Sequence, residues 1–151
     1  MTATWERLIT QVFNGLLKVP DQTWQQPIII VGAHQSGRLL ATELGRASER
    51  AVLIDTVEEL CRLASNIPAV EAIHGDATSV EVLRRAGAEH AGCVFAASTN
   101  DQFNLRVCQS TEMSFNSLRL IARVNEPANI VDFELMGYEV MSMEEELNPQ
   151  C

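Results

Sequence analysis

A glycine turn follows an apolar run where residues 28–37 read IIIVGAHQSG. Gly32 would make a tight turn out of a buried strand, and Gly37 would let the next helix pack closely on the sheet. The backbone amides of residues 34–37 would then point at an anionic group from the N-terminus of that helix. The pattern is typical of phosphate binding, although His34 stands at the middle glycine of the usual G-x-G-x-x-G.

The glycine pattern alone leaves two interpretations open, because strand–turn–helix units with glycines also occur for packing reasons. His34 could hydrogen-bond a phosphate, crowd out a dinucleotide, or be a tolerated surface residue of the turn. Asp55 ends the second apolar run, 23 residues after Gly32. That spacing suits a carboxylate that accepts hydrogen bonds from ribose hydroxyls, and it favours a free 2′-hydroxyl over a 2′-phosphate.

Short apolar, β-branched runs alternate with segments of helical length and period. The predicted strands are 28–31, 51–54, 70–73, 93–97, 118–122 and 138–141, and the predicted helices between them are 37–48, 57–66, 79–87, 101–114 and 127–136. Continuous apolar strands suit a parallel sheet that is covered on both faces. We therefore predict an α/β, doubly wound (Rossmann-like) fold with a six-stranded parallel sheet in the order 3-2-1-4-5-6.

An extra helix is predicted before the sheet, because an apolar stripe with helical spacing runs from Trp5 to Leu17 and ends at Pro20. The predicted organisation is an N-terminal amphipathic helix and linker over 1–26, a nucleotide-binding domain over 27–142, and an acidic tail over 143–151.

Composition limits the possible partners. The 151 residues suffice for one full core but not for two ordinary domains, and the net charge of −9 argues against nucleic-acid binding. No apolar run approaches the roughly 18 residues of a membrane helix, and charged residues interrupt the first twenty positions. We therefore expect a cytoplasmic protein without direct membrane insertion. The four cysteines and three histidines lack metal-ligand spacing, so buried, reduced thiols and no metal site are predicted.

Polar segments follow three more of the predicted strands: HGDAT at 74–78, ASTNDQFN at 97–104 and ARVNEP at 122–127. Because the carboxyl ends of parallel strands meet at one edge, these segments should converge with Gly32 and Asp55. Packing does not require this convergence, so it favours a ligand site.

The sequence resembles the RCK or KTN domain, a TrkA N-terminal type of cytosolic nucleotide-sensing module of potassium channels, potassium uptake systems and cation/proton antiporters. The resemblance covers about residues 27–142 and rests on VGAHQSG, LID, GDAT, ASTNDQFNLRVCQ, IARV and ELMGYEV. GDAT followed by T-x-D-x-x-N is far more specific than the glycine pattern. The variant G-A-x-x-x-G with LIDT looks most similar to the domains of sodium or potassium/proton antiporters.

The resemblance implies a role for each part of the cleft. Phosphate would bind the turn formed by Gly32, Ala33, His34, Gln35, Ser36 and Gly37. Asp55 would hold the adenosine ribose, and Asp76 with Ala77 the adenine edge, with Thr56 and Gly75 beside them. Ser98, Thr99, Asn100 and Asn104 would line the cleft, and Arg123 would approach the phosphates or a neighbouring subunit. Alternatively, Asp76 only caps a turn, Asn100 only N-caps a helix, and Arg123 pairs with Glu126.

Two departures from the family pattern matter. Gln35 stands where the family often has arginine, which favours AMP or NAD(H) over ADP or ATP as the adenine nucleotide. The second, C-terminal ligand-binding subdomain of many members is absent, so the chain would be a fragment of a larger transporter or a separate subunit.

By resemblance, the function is regulatory: the domain would sense its ligand and gate cation transport through domain–domain rearrangement. The expected partners are a second copy, as a homodimer or higher homo-oligomer, and a membrane-embedded cation transporter or channel at the inner face of the cell membrane. Candidate apolar surface is the N-terminal stripe, which could instead fold back on its own domain, or residues of the fourth and fifth helices, namely Phe103, Met113, Phe115, Phe133 and Met136.

Two other functions stay open at this point. One is a non-catalytic assembly module with a non-functional pocket, because of His34 and Gln35. The other, less favoured, is an NAD-dependent oxidoreductase fragment. A dehydrogenase needs a substrate domain and a positioned acid or base, but few residues follow position 142, and Lys18 and Tyr138 are the only lysine and tyrosine. We therefore predict that the chain is not an enzyme.

Overall fold

The computed structural model describes residues 26–46, 50–116 and 118–142. The predicted N-terminal helix and acidic tail lie outside these residues. The described strands are β1 (Ile28–Val31), β2 (Ala51–Asp55), β3 (Val70–His74), β4 (Cys93–Ala96), β5 (Arg119–Val124) and β6 (Glu139–Ser142). The described helices are α1 (Gln35–Arg46), α2 (Glu58–Ser65), α3 (Val80–Arg85), α4 (Asp101–Ser114) and α5 (Ile130–Leu135), with a 3-10 turn at Pro127–Asn129.

The strands form one parallel sheet in the order β3-β2-β1-β4-β5-β6. This confirms the predicted doubly wound fold and strand order. In the centre of the sheet, Ile30 of β1 pairs with Leu53 of β2 and Phe95 of β4. The order reverses between β1 and β4, and the carboxyl ends of these neighbours open the crevice that binds ligands in such folds.

Two apolar layers cover the sheet, one on each face. One layer joins Ile28, Ile30 and Leu53 to α1 and α2 through Leu40, Leu44 and Ala64. The other joins Ile29, Val31 and Ile54 to α3, α4 and α5 through Leu83, Val107 and Phe133. Because successive strand residues alternate between the two layers, the central strands are apolar throughout, as the sequence pattern indicated.

The predicted apolar surface is partly wrong. Phe115 and Phe133 are buried, with 8% and 1% of their surfaces exposed, and both belong to the core layer that α4 and α5 form. Phe133 is the buried residue of α5, and Phe115 is the C-cap residue of α4, so both pack in the core under these helices. Met113 and Met136 do remain exposed.

The three cysteines within the described residues, Cys61, Cys93 and Cys108, are free and buried. Burial raises the pKa of the Cys93 and Cys108 thiols to about 12, so both are neutral packing groups at neutral pH. No helix in the described ranges is long and apolar enough to span a membrane.

Candidate functional site

The turn between β1 and α1 depends on two glycines. Gly32 has a φ of +109°, and a Cβ added there would lie 3.0 Å from the Ser98 amide nitrogen. The turn therefore lies directly against the end of β4. At Gly37 an added Cβ would collide with the Gly32 carbonyl oxygen, so α1 begins in direct backbone contact with the turn. Both positions exclude a side chain for the reasons that the sequence pattern indicated.

Asp55 joins this turn to the end of β2. Its Oδ2 accepts a hydrogen bond from the Ala33 amide at 2.7 Å, and its Oδ1 accepts one from the Val57 amide at 2.8 Å. The residue is only 9% exposed. Each carboxylate oxygen has a further lone pair, so the group retains capacity to accept from a ligand hydroxyl.

The loop after β3 lies next to Asp55, because the Gly75 amide donates to the Asp55 carbonyl oxygen at 2.9 Å. Asp76 Oδ1 accepts from the Thr78 hydroxyl at 2.7 Å and from the Thr78 amide at 2.9 Å. These bonds, with the charge of Arg106, hold the pKa of Asp76 below its ordinary value. Asp76 thus caps its own turn, while Ala77 is fully buried in the core.

Asn104 and Asn100 organise the end of β4. Asn104 is fully buried; its Oδ1 accepts from the Ser98 amide at 3.0 Å, and its Nδ2 donates to the carbonyl oxygens of Ser98 and Arg123 at 2.9 and 2.8 Å. Asn100 Oδ1 accepts from the Phe103 amide at 2.9 Å and caps α4. Asn104 therefore holds the ends of β4 and β5 together, and its amide is already occupied by backbone groups.

Two guanidinium groups contact the β1–α1 turn. Arg123 Nη1 donates to Ser36 Oγ at 2.8 Å, and Arg38 Nη1 donates to the Ala33 carbonyl oxygen at 2.7 Å. Burial lowers the pKa of Arg123, and the charge of Asp101 opposes that shift. Arg123 Nε is buried without a partner among the described residues. Arg123 thus contacts the turn, not Glu126, and supplies positive charge beside the loop amides.

The ends of the first four strands enclose one open cleft of about 230 Å³. The predicted residues that line it are Gly32, His34, Asp55, Thr56, Gly75, Ser98 and Asn100. The predicted residues Ala33, Gln35, Ser36, Gly37, Asp76, Ala77, Thr99, Asn104 and Arg123 are not among its lining residues. Ala33, Gly37 and Asn104 instead hold the walls in position. The loops after β1, β2, β3 and β4 thus converge on a single space.

Phe103 and Arg106 of α4 also line the cleft, a position that was not predicted for either residue. Phe103 and Arg106 follow the N-cap residue Asn100 at intervals of three residues, so they lie on one face of the helix. This spacing is the sequence signal from which their position could have been predicted. Val57, just after β2, is a third lining residue that was missed. Val31 and Ile54 complete an apolar floor.

Asp101, next in sequence to the cleft residue Asn100, is hydrogen-bonded to the loop after β5. Its carboxylate accepts from the Asn125 amide at 2.7 Å, the Asn125 side chain at 2.8 Å, and the Glu126 amide and Asn129 side chain at 2.9 Å each. Burial alone would raise the pKa of Asp101, but these bonds outweigh burial and lower it. The residue therefore stays ionised and fixes the loop after β5.

The cleft thus combines an apolar floor, a carboxylate at its centre, and a glycine turn with two adjacent arginines. Such a site can hold a flat apolar ring, a sugar with free hydroxyls and an anionic group. No cluster of three or more His, Cys, Asp or Glu residues suited to a metal ion occurs in the part of the chain that the structure describes.

Residues 28–143 match the model of the TrkA-N domain. The chain belongs to the TrkA-N family. A relative of this TrkA-N chain is the Trk system potassium uptake protein TrkA of Halomonas elongata, 29% identical over 123 residues that cover 82% of this chain and 27% of that protein. The chain spans about a quarter of the length of the TrkA proteins of Halomonas elongata and Vibrio alginolyticus.

Solved TrkA-N and RCK structures share the fold. The TrkA-N domain of the inner membrane protein ybaL from Escherichia coli has a TM-score of 0.75 at 21% identity and covers 82% of this chain and 92% of its own. The AMP-bound Kef C-terminal domain of Shewanella denitrificans has a TM-score of 0.71 at 18% identity, covering 82% and 77%. The NAD-bound GsuK channel has a TM-score of 0.69 at 22% identity, covering 82% and 22%. An ADP-bound GsuK structure has a TM-score of 0.66 at 24% identity, covering 91% and 36%. The resemblance to the TrkA N-terminal type of domain is confirmed by the family match over residues 28–143.

Proposed function

We propose that this TrkA-N chain is a cytosolic nucleotide-binding regulatory domain of a potassium or sodium transport system. The observation that carries the proposal is the junction of the Gly32 turn with Asp55, whose carboxylate lies at the centre of the cleft. The potassium uptake proteins among its relatives support a role in transport regulation without catalysis. The partner would be a membrane-embedded antiporter, channel or uptake subunit, which would hold the domain at the inner face of the cell membrane.

The proposed ligand is an adenine nucleotide. Asp55 would accept from the ribose hydroxyls, and the turn from Gly32 to Gly37 would hold phosphate with Arg123 and Arg38 beside it. The AMP, NAD and ADP ligands of similar structures support adenine nucleotides generally. The absence of an arginine at Gln35 favours AMP or NAD(H).

Gating requires that the ligand bind one arrangement of the domain and its partners more tightly than another. We propose that the second copy packs on α4 and α5, where Met113 and Leu135 are 87% and 81% exposed. A ligand that moves the loops around the cleft would move the N-terminus of α4, because Asn100 both lines the cleft and caps this helix. The helix would carry that shift to the subunit interface.

The first test is ligand-induced thermal stabilisation with AMP, ADP, ATP, NAD⁺ and NADH. A nucleotide that binds only the folded protein raises the free energy of unfolding by about 2.7 kcal/mol when its concentration is about 100 times its Kd. We expect AMP or NAD(H) to raise the Tm, and Asp55→Ala to weaken binding about ten-fold or more, because a carboxylate–hydroxyl bond is lost. Asp55→Asn keeps the shape of the side chain and should also lose most of the stabilisation.

Asp132→Asn, at an exposed position of α5, is the matched control and should bind as wild type does. Isothermal titration of each variant, with its ligand-free Tm, separates weak binding from unfolding, because Asp55 also holds two backbone amides. Equal stabilisation of wild type and both Asp55 variants would refute the ribose assignment. Stabilisation by no nucleotide would favour the assembly module, and turnover of NADH would favour the oxidoreductase.

A further inference from the structure

The wall of the cleft that α4 forms carries a cation. Arg106 lines the cleft together with Phe103, one turn before it on the same helix. One turn further, Ser110 Oγ donates to the Thr78 carbonyl oxygen at 2.9 Å. The middle of α4 is thus fastened to the loop that follows β3, and Arg106 stands where the helix passes over that loop.

Arg106 is exposed and has no hydrogen bond or ion pair with another of the described residues. The acidic group on which its charge acts is Asp76, whose pKa it helps to lower after the two bonds from Thr78. Asp76 is fixed in its turn by those bonds. Its carboxylate can therefore attract the guanidinium toward the β3 side of the cleft.

Arg106 acts on a different loop of the cleft from the glycine turn, because its charge acts on Asp76 in the loop after β3. The glycine turn follows the central strand β1, where Arg38 and Arg123 already supply positive charge. The loop that Arg106 overlies follows β3, the edge strand of the sheet, two strands from β1. A nucleotide with its phosphate on the turn and its ribose at Asp55 would place its base at the β3 side.

We propose that Arg106 closes the base end of the cleft by laying its guanidinium over the purine ring. The inference rests on the proposed nucleotide function and deepens it. A guanidinium is planar and weakly hydrated, and it stacks well on aromatic faces. Phe103 supplies apolar surface on the same side of the cleft, and the negative charge of Asp76 attracts the cation. The contribution of Arg106 to the affinity then depends on the base of the ligand and is independent of the number of phosphates.

The test is isothermal titration of adenosine, AMP and ADP into wild type, Arg106→Gln and Arg106→Lys. Arg85→Gln, which removes an exposed arginine on α3, is the charge-matched control. We expect Arg106→Gln to weaken all three ligands by the same factor, about two- to five-fold, the range for an exposed cation–π contact. Arg106→Lys should retain part of the affinity, since it keeps the charge but loses the planar group, and Arg85→Gln should bind as wild type does.

Three results would overturn the inference. Unchanged affinity in Arg106→Gln would mean that the side chain does not contact the ligand. A loss that grows from adenosine to ADP and disappears at high salt would mean that Arg106 contacts phosphate, because exposed charge pairs are screened. If wild type bound none of the three and neither NAD⁺ nor NADH, the proposed nucleotide function would fail and this inference with it. The first two results leave the nucleotide function intact, since wild type still binds.

Discussion

Asp101 illustrates how one buried carboxylate can fix a whole loop. It is buried, and its four hydrogen bonds all come from the segment between Asn125 and Asn129. Replacing it with asparagine would leave buried donors facing an amide that cannot accept all of them. We expect Asp101→Asn to lower the free energy of unfolding by about 2 to 4 kcal/mol at neutral pH, measured by urea denaturation.

The same residue should give a pH signature. Because its pKa is lower in the folded protein than in the unfolded chain, its carboxylate stabilises the fold fully above the unfolded value of about 4. That contribution is lost as the pH falls through the folded value. The stability difference between wild type and Asp101→Asn should therefore shrink below about pH 4. Asp132→Asn, at an exposed position, should change the stability little, and an equally small change for Asp101→Asn at neutral pH would contradict the assignment.

Sequence and structure agree best where a residue type has one physical reason to be present. Gly32 and Gly37 were predicted because backbone packs where their side chains would be, and the structure shows these contacts. Asp55 was predicted at the end of the second strand, where its carboxylate accepts from the Ala33 amide, and its contact with a ribose stays a prediction. Asn104 was predicted to lie near a ligand, but its amide is occupied by the backbone of two strand ends. Sequence alone does not reveal that choice of partners, since they lie up to 19 residues away.

At the scale of elements, the strands were predictable because helices cover both faces of the sheet, so that the central strands consist of apolar residues throughout. Element ends were less predictable, because contacts between elements decide them. β5, predicted to end at residue 122, runs to Val124, whose register partner is Ser142 of β6. The position of α4 as a wall of the cleft was also not predictable. The spacing of its apolar residues indicates which face of the helix is buried, but it does not indicate which loop the helix contacts. Only the bond from Ser110 to Thr78 reveals that loop.

The contact between α1 and the β1–α1 turn gives a prediction at this scale. Gly37→Ala would force the Gly32 carbonyl and the start of α1 apart, because no flexible side chain can yield there. We expect a loss of about 3 kcal/mol in the free energy of unfolding, typical of severe overpacking, and loss of AMP binding at temperatures where the variant is still folded. Urea denaturation and calorimetry measure the two effects.

Gly137→Ala is the control that shows the effect of backbone strain without the collision that Gly37→Ala causes. Gly137 has a φ of +85°, but apart from its two chain neighbours no described residue comes within 4 Å of the added Cβ. Strain there should cost about 1 to 2 kcal/mol and leave nucleotide affinity unchanged. If Gly37→Ala bound AMP as tightly as wild type, the amides of the turn would not be the phosphate site.

At the scale of the whole molecule, a net charge of −9 coexists with an exposed apolar surface. Val131 and Leu135 are four residues apart on α5, and Met113 and Met136 line a shallow depression between α4 and the turn from α5 to β6. We call these four residues the α4–α5 patch. Single-sign charge opposes the association of two copies, whereas burial of the patch favours it. The expected dimer should therefore become tighter as salt screens the repulsion.

A matched pair of substitutions tests this expectation. Leu135→Glu places a charge in the α4–α5 patch and should convert the dimer to a monomer in sedimentation velocity, since a carboxylate would be buried without a partner. Leu63→Glu is the control, because Leu63 is also exposed but lies on α2, which covers the opposite face of the sheet. The control should remain dimeric. The monomers of both variants should unfold at the same Tm as the wild-type monomer, because neither side chain is in the core. A wild-type monomer at all salt concentrations, or a dimer that only Leu63→Glu disrupts, would exclude the patch as the interface. The same experiment with AMP tests whether nucleotide binding and dimerisation are coupled. If AMP changes the dimer dissociation constant of wild type, then dimerisation must change the affinity for AMP by the same factor, because thermodynamic linkage is reciprocal.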